Sequence, residues 1–328
     1  MAKISPTIQD MNNVITSGVS FRNRVINGSC VVAQRGSVAI ASNTFAYGGC
    51  DRIAVQTGSF TTVSGTISQG GGVGSGVSAS GYVQQFQATT TGSGTIGFVH
   101  RIEAANCADL NGKTVTLSVS LYQDTGSTLS PTLNLYKPTA VDNYTGQTFL
   151  YGTGISLPTS TRTKFTWTVT LGSTDASNGL AIVINFPVGA VSGKYFQIAD
   201  LQLEKGSVAT AFEQRPIGLE LSLCQRYYYQ CRHAIGTIGS LSTSLWRLTS
   251  IHPVAMRISP TTTLVGTPTI QPGYSPGVSI TALGTTYHNT IAFQVDCTIA
   301  STAAASGTVA ILQNNNSSAN YIDVSAEL

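Results

Sequence analysis

The side chains that could perform acid–base chemistry are few and dispersed. The 328-residue chain carries 14 Asp and Glu residues, and a carboxylate pair that hydrolyses a glycoside must stand about 5 to 9.5 Å apart. Asp200 and Glu204 share one face of a predicted strand if that strand is regular, but four residues at about 3.3 Å each separate them by roughly 13 Å. No catalytic pair is predicted there, although carboxylates distant in sequence can still meet in space.

Motifs for metal or nucleophile chemistry are also lacking. The four histidines lie far apart, without HxH or HExxH spacing. His100 and Glu103 form an HxxE, but residues three apart on a strand point to opposite faces and cannot share a metal. No GxSxG nucleophile elbow occurs. The six cysteines show no CxxC, so we predict buried free thiols.

Aromatic side chains are the remaining candidates for binding, because sugars stack their apolar faces on such rings. Trp246 is one candidate, and its alternative is a place in the core or at a subunit interface, where large aromatics dominate the energetics. Tyr274 and Tyr287 lie in turn-like segments, which favours an exposed tip. The run 227–229 of three tyrosines alternates faces if extended, so at least one ring is expected to point outward.

Composition excludes several classes of partner. Charged residues make up 9% of the chain and the net charge is +3, so no basic stripe is available to neutralise phosphates and nucleic acid is not an expected partner. No run of about 18 apolar residues predicts a membrane span, and the N-terminal residues lack the apolar core of a signal peptide. We expect a protein made in a cytosol-like compartment.

The elements that must position these residues are mostly strands. Apolar residues alternate with Thr and Ser in KTVTLSVSLY and KFTWTVTL, and further strands are predicted at 97–103, 132–136, 180–186 and 195–203. Many short strands without interleaved helices predict an all-β sandwich, most simply a jelly roll. The glycine-rich residues 65–81 are predicted to form a flexible surface loop rather than a phosphate cradle. After Pro216, a helical turn or two at 219–225 precedes a second, smaller β-sandwich.

The first residues predict a short helix. Ser5 can cap it, and Ile8, Met11 and Ile15 recur at spacings of three and four until Gly18. About three turns with one narrow apolar stripe are marginal alone in water, so the helix needs a partner. That partner is either the chain's own domain, identical helices in a small parallel bundle, or an attachment site on a larger particle.

Several segments together resemble bacteriophage tail-fibre and virion structural proteins whose central module is similar to a carbohydrate-binding jelly roll. They are NRVINGSCVVAQRG (23–36), YGGCDRI (47–53), FQIADLQLEKGSVATAFEQRPIGLELSLCQRYYYQ (196–230) and HPVAMRISPT (252–261). The third is the most specific, and together about 60 residues carry the match. Ile53 stands where the family usually has tryptophan, so one large aromatic of the module is missing.

The resemblance implies three parts: an attachment helix (1–21), a jelly roll (22–216) and a C-terminal receptor-binding β-sandwich (217–328). It also implies a homotrimer, in which three copies of one face give avidity. In carbohydrate-binding jelly rolls an aspartate of the penultimate strand often helps hold a structural calcium, and IADLQLE resembles that strand. Asp200 is thus the candidate calcium ligand, with hydrogen bonding or pairing to Lys205 as the alternative. No other cofactor is expected.

The leading hypothesis is a non-catalytic fibre or spike subunit that is assembled in the host cytoplasm and resides in the virion. Its expected partners are copies of itself, other virion proteins and a host surface glycan contacted by Trp246, Tyr274 or Tyr287. One alternative is a purely structural head fibre or capsid decoration protein. A third is a glycan depolymerase, which would need two close carboxylates in an exposed cleft.

Overall fold

The computed structural model describes residues 21–58, 64–71, 76–190, 192–233, 238–272, 277–300, 309–314 and 317–328. The helix predicted within residues 5–18 lies outside these ranges. In the described residues the chain is an all-β protein with two hydrophobic cores, one formed by residues 25–203 and one by residues 229–326. The part around the first core is called the body below. No helix of the described residues is long and apolar enough to cross a membrane.

The body is a sandwich of two antiparallel six-stranded sheets, which confirms the predicted jelly roll. The first sheet has the order β1-β4-β5-β12-β7-β10 and contains Val38–Ile40 (β1), Gly65–Gly71 (β4), Tyr82–Ala88 (β5), Tyr195–Lys205 (β12), Thr114–Gln123 (β7) and Thr163–Thr170 (β10). The second has the order β2-β3-β6-β11-β8-β9 and contains Phe45–Tyr47 (β2), Ile53–Gly58 (β3), Gly92–Ile102 (β6), Leu180–Ala190 (β11), Thr132–Ala140 (β8) and Asn143–Gly154 (β9). The glycine-rich segment is therefore in part a strand, because Gly65–Gly71 pairs with both β1 and β5.

The two-residue period of the strands builds the body core. On β7 the apolar members of the alternation face inward, and on β10 Phe165, Trp167 and Val169 pack against the same core. Phe186 contacts both Phe98 and Phe196, with ring centroids 5.8 and 5.6 Å apart. Such a buried aromatic cluster holds the sheets together, since truncating one ring typically costs about 3 to 5 kcal/mol.

A bulge interrupts strand β12, on whose regularity the predicted shared face of Asp200 and Glu204 depended. The register with β7 shifts between Ala199 and Gln202, and Asp200 adopts a positive φ of 50°. Phe196 and Ile198 face the core before the bulge and odd-numbered residues face it afterwards. The condition on which a shared face of Asp200 and Glu204 was predicted, a regular strand, is therefore not met.

Two short helices connect the strands: Ala104–Cys107 (α1), followed by one 3-10 turn at Ala108–Leu110, and Ile217–Gln225 (α2), which confirms the helix predicted after Pro216.

The C-terminal part forms a closed six-stranded barrel beside a three-stranded sheet, where the sequence predicted a sandwich. Two register shifts in the longest barrel strand bend it and permit closure. In the order of pairing, the barrel contains Ile238–Ser240 (β14), Leu245–Ile251 (β15), Ala292–Ile299 (β19), Val278–His288 (β18), Thr269–Pro272 (β17) and Val309–Gln313 (β20). The small sheet contains Tyr228–Cys231 (β13), Tyr321–Ser325 (β21) and Thr261–Val265 (β16).

Residues 326–328, called the clasp below, join the C-terminal part to the body. The Glu327 carboxylate pairs with Arg52, whose side chain has no exposed surface, and with Arg35 at 3.0 Å. The Leu328 backbone oxygen accepts hydrogen bonds from Arg101 and from the Tyr47 hydroxyl. The clasp thus places a carboxylate of the last strand region inside a cluster of body arginines.

All six cysteines are buried and free, as predicted. Burial raises the pKa of Cys107 and Cys297 to about 12 and that of Cys231 to about 11. These thiols pack as small apolar side chains and are poor nucleophiles at neutral pH.

Candidate functional site

The outer face of the second body sheet carries polar and small side chains in a regular array. Because successive strand residues point to opposite sides, Ile53, Val55, Ile96 and Phe98 enter the core and their neighbours form the outer face. Cross-strand pairing places these outer residues in rows perpendicular to the strands. The register of five strands therefore determines which side chains meet there.

One row forms a floor of amide and glycine positions. Gln56 of β3 lies opposite Gly97 of β6, which lies opposite Asn185 of β11. Asn185 lies opposite Thr132 of β8, and Thr132 opposite Gly154 of β9. The next row contains Ala54, Val99, Val183, Asn134 and Gly152.

The glycines keep this floor low. A Cβ at residue 97 would stand 2.8 Å from Asn185 Oδ1, and one at residue 152 would stand 2.5 Å from Asn134 Oδ1. Larger residues would therefore displace the amides from the surface. Gly97 and Gly152 therefore leave room for the amides of Asn185 and Asn134 on this face.

Aromatic rings stand at both ends of the floor. Phe45 and Tyr47 of β2 make an edge-to-face contact at 5.5 Å, and Tyr136 of β8 makes the same contact with Phe149 of β9 at 5.5 Å. Four strand spacings separate β2 from β8, which is about 19 Å. We call this surface the trough; its floor is the two rows above and its walls are the two aromatic pairs.

The trough offers stacking surfaces and open hydrogen-bonding groups. Phe149 is 54% exposed. Gln56 and Asn185 make no side-chain hydrogen bond within the described ranges, whereas Asn134 donates to Thr132 Oγ1 at 2.9 Å. A free carboxamide presents one acceptor oxygen and two donor hydrogens, which matches the mixed character of a sugar hydroxyl. At the β2 end the rings are partly covered, because Arg101 lies 4.3 Å above the Phe45 ring and the Tyr47 hydroxyl donates to the clasp. A hollow of about 350 Å³ lies beside Phe45 there.

The trough has no acid–base pair, because neither its floor nor its walls include a carboxylate. Carboxylates near its ends are committed elsewhere. Asp175 accepts hydrogen bonds from Tyr151 at 2.9 Å and from Lys137 at 3.3 Å, and it faces away from the floor rows. The arrangement can bind and orient a polyhydroxylated ligand but holds no pair suited to glycoside hydrolysis.

The structure corrects the sequence-based candidate Trp246. Its indole ring is completely buried in the barrel core, so it is not available to stack on a sugar. Arg247 and Thr249 take the outward positions of the same strand, and Arg247 pairs with Asp296 at 2.7 Å. Alternation then directs Trp246 inward. Tyr274 lies outside the described residues.

Tyr287 is exposed, as predicted, but it lies in strand β18 rather than in a turn. Its side chain is 63% accessible and borders a hollow of about 250 Å³ with Gln294, Thr249 and Asn289. Gln294 lies opposite Tyr287 and donates to Thr249 Oγ1 at 3.3 Å. This barrel surface is a second place where a ring and an amide meet, but it offers one ring rather than two facing pairs.

The three consecutive tyrosines are all buried, which makes the expected outward ring wrong. Arg52 lies 3.5 Å over the Tyr227 ring and Arg35 lies 3.4 Å over Tyr228. Tyr229 contributes its hydroxyl to a 2.8 Å hydrogen bond with His252. The run therefore serves the joint between body and barrel rather than a surface.

Asp200 has a backbone partner. Its carboxylate accepts the Ala79 N–H at 3.0 and 3.2 Å, and burial raises its pKa while Ala79, Arg162 and Lys164 act in the opposite direction. Within the described ranges, no group of three or more His, Cys, Asp or Glu side chains is placed to hold a metal ion. The partners of Asp200 do not include Lys205.

His100 and Glu103 are buried in different surroundings, as their spacing predicts. His100 contacts the Arg52 backbone oxygen at 3.1 Å, whereas Glu103 pairs with Arg226 at 3.2 Å. Burial and the nearby Arg52 hold the pKa of His100 well below its usual value. His100 is therefore a neutral core residue at pH 7.

Comparisons with known proteins give partial structural likenesses. No protein-family model and no curated protein matches the chain. Its structure is similar to a carbohydrate-binding module, CBM4, at 18% identity and a TM-score of 0.29, over 43% of this chain and 87% of that one. It is similar to the CBM22-1 xylan-binding domain of Paenibacillus barcinonensis Xyn10C at 10% identity and 0.32, over 54% and 100%. It is also similar to the enzymatically active domain of bacteriophage CBA120 tailspike protein 4 at 13% identity and 0.34, over 56% and 22%. TM-scores this low carry no functional argument.

Proposed function

We propose that this chain is a non-catalytic, glycan-binding fibre or spike subunit of a bacteriophage virion and that the trough of the body is its glycan site. The observation that carries the proposal is the pairing of open amides, Gln56 and Asn185, with aromatic walls across a glycine floor. Rings bind the apolar faces of sugars, and amides bind their hydroxyls.

The absence of a carboxylate from the trough supports binding without turnover. A glycosidase would need an acid and a second carboxylate on opposite sides of the scissile bond. A depolymerase would therefore have to use another surface. A reducing-sugar assay on each bound polysaccharide tests this part of the proposal, and release of reducing ends would contradict it.

The virion assignment rests on the sequence segments that resemble phage fibre proteins. A surface rich in Thr, Ser and Asn with 9% charged residues suits contact with neutral sugars more than with nucleic acid. We further propose a homotrimer, since three equivalent troughs would add avidity to individually weak contacts. Electron cryomicroscopy of the virion would test the position, and a place within the capsid shell would favour the purely structural alternative.

The glycan site is tested by binding of the full chain to a panel of purified bacterial surface polysaccharides. We expect Phe149→Ala and Asn185→Ala each to weaken binding about tenfold, equivalent to about 1.4 kcal/mol, because each removes one contact from the trough. Thr166→Ala is the matched control. This residue is exposed on the outer face of the other sheet, so its truncation should leave the affinity unchanged.

Tyr287→Ala distinguishes the trough from the barrel surface. If the barrel is the glycan site, this variant loses binding and Phe149→Ala retains it. If no polysaccharide binds, or if both trough variants bind as the native chain does, the trough is not a glycan site.

A further inference from the structure

An apolar groove lies where the described chain begins. It has a volume of about 210 Å³, and its lining includes Phe21, Ile26, Leu219 and Leu223. Phe21 is 51% exposed. The first residue of the described chain is thus itself part of the groove wall.

Helix α2 forms the opposite wall and is apolar on its outer side. Glu220 and Cys224 face the body, whereas Ile217 is 57% exposed and Leu219 and Leu223 are only partly covered. A helix that carries apolar residues all round is normally covered on both sides. The outer side of α2 lacks such a cover in the described residues.

Two arginines border the groove with unused donors. Arg24 pairs with Asp109 and Arg215 with Glu220, but the buried Nε of each has no hydrogen-bond partner in the described part of the chain. A buried donor without an acceptor is costly, at about 1 to 3 kcal/mol. Because the protein itself covers both Nε atoms, they do not select the occupant; the apolar lining suits one that brings apolar side chains.

We propose that the occupant is residues 5–17 of the same chain, docked on α2 through Ile8, Met11 and Ile15. This segment has the required apolar stripe, and it contains Asp10, the single carboxylate among the first 20 residues. Ile15 precedes Phe21 by six residues, which span at most about 20 Å. The tether holds the stripe beside the groove at high effective concentration.

The docked segment gives the predicted N-terminal helix its partner within its own chain. A short helix with one apolar stripe gains its stability from packing. The groove then serves to fix the direction in which residues 1–20 leave the body. This inference does not depend on the glycan proposal, because the groove lies at the α2 side and not on the trough.

Cysteine cross-linking in the full chain tests the contact. Ile15→Cys combined with Leu223→Cys should form a disulfide within one chain, seen as monomer mass on a non-reducing gel together with loss of both introduced free thiols. The native thiols are buried and do not compete. Ile15→Cys combined with Thr166→Cys is the control and should not cross-link. A disulfide that joins two chains would assign the groove to a second copy and overturn the proposal, as would no disulfide.

Hydrogen exchange provides a measurement that does not need a disulfide. Met11→Asp should raise exchange of the α2 amides about tenfold, because it removes the cover from the helix. Asn13→Asp adds the same charge on the opposite side of the predicted helix and should leave exchange unchanged. Equal exchange in Met11→Asp and the native chain would overturn the proposal.

Discussion

Glu327→Gln should weaken the joint between body and barrel more than any change of an exposed ion pair. The Arg52 side chain has no exposed surface, and Glu327 is the carboxylate with which it pairs. Burial lowers the pKa of Arg52, but Glu327 and two tyrosines raise it to a net value above the ordinary one. Gln keeps the shape of the side chain and removes its charge.

The expected cost follows from burial. Removing one partner of a buried pair typically costs about 3 to 5 kcal/mol, because the other charge stays desolvated. Arg35 retains Asp51 at 3.9 Å, so the loss falls mainly on Arg52, and we expect about 3 kcal/mol. Asp109→Asn is the matched control, since its pair with Arg24 is 52% and 27% exposed. Such a surface pair is worth about 1 kcal/mol or less.

Urea unfolding can follow each part separately, because the two tryptophans lie in different cores. Trp167 packs against the body core and Trp246 is buried in the barrel. Single-tryptophan variants, Trp246→Phe and Trp167→Phe, therefore report the body and the barrel in turn. We expect Glu327→Gln to lower the unfolding midpoint of the body, and Asp109→Asn to leave both midpoints nearly unchanged.

A double variant distinguishes destabilisation caused by an unpaired buried charge from destabilisation caused by loss of packing. Arg52→Met combined with Glu327→Gln removes the buried charge that the single variant leaves unpaired, so more than half of the lost stability should return. If Glu327→Gln costs no more than Asp109→Asn, the buried pair does not hold the joint and the reasoning fails.

The pKa of His100 is lower in the folded chain than in the unfolded chain, so the unfolded chain takes up the proton first as the pH falls. At pH values below 6.5 the free energy of unfolding should therefore decrease by up to about 1.4 kcal/mol per pH unit. Urea unfolding at pH 7.5 and 5.5 measures this, and an equal pH dependence in His100→Gln would contradict it. A thiol reagent at pH 8 should find no reactive cysteine in the native chain and six after denaturation, and fast native labelling would show that the thiols are accessible. Phe186→Ala should cost the body about 3 to 5 kcal/mol in the Trp167 signal and spare the Trp246 signal; equal losses in both would show that the two cores unfold together.

Local alternation predicted the strands well. Thr114–Gln123 and Thr163–Thr170 lie where their period of two placed them. The polar face of Thr163–Thr170 is exposed, whereas the Thr and Ser face of Thr114–Gln123 is buried as well as its apolar face. Arg247 and Thr249 already indicated that Trp246 points inward, since a charged neighbour takes the solvent side. The bulge at Asp200 also left a signal, because the apolar residues are even-numbered before it, at Phe196 and Ile198, and odd-numbered after it, at Leu201 and Leu203.

The trough could not be predicted from local patterns. Gln56, Asn185 and Phe149 are ordinary outward residues of three strands, and only long-range pairing brings them onto one face. The barrel was missed for a related reason. Closure depends on bends in β18, which the sequence shows only as a long polar and apolar mixture.

The clasp can form only late in the synthesis of the chain. Synthesis proceeds from the N-terminus, so Arg52 emerges some 275 residues before Glu327. Until Glu327 is synthesised, the Arg52 guanidinium of the nascent body has no carboxylate to pair with. The residues of the barrel must be synthesised before that carboxylate is present. A chain that ends before Glu327 would lack this ion pair and would be less stable. Cellular proteases could then remove it before it enters an assembly.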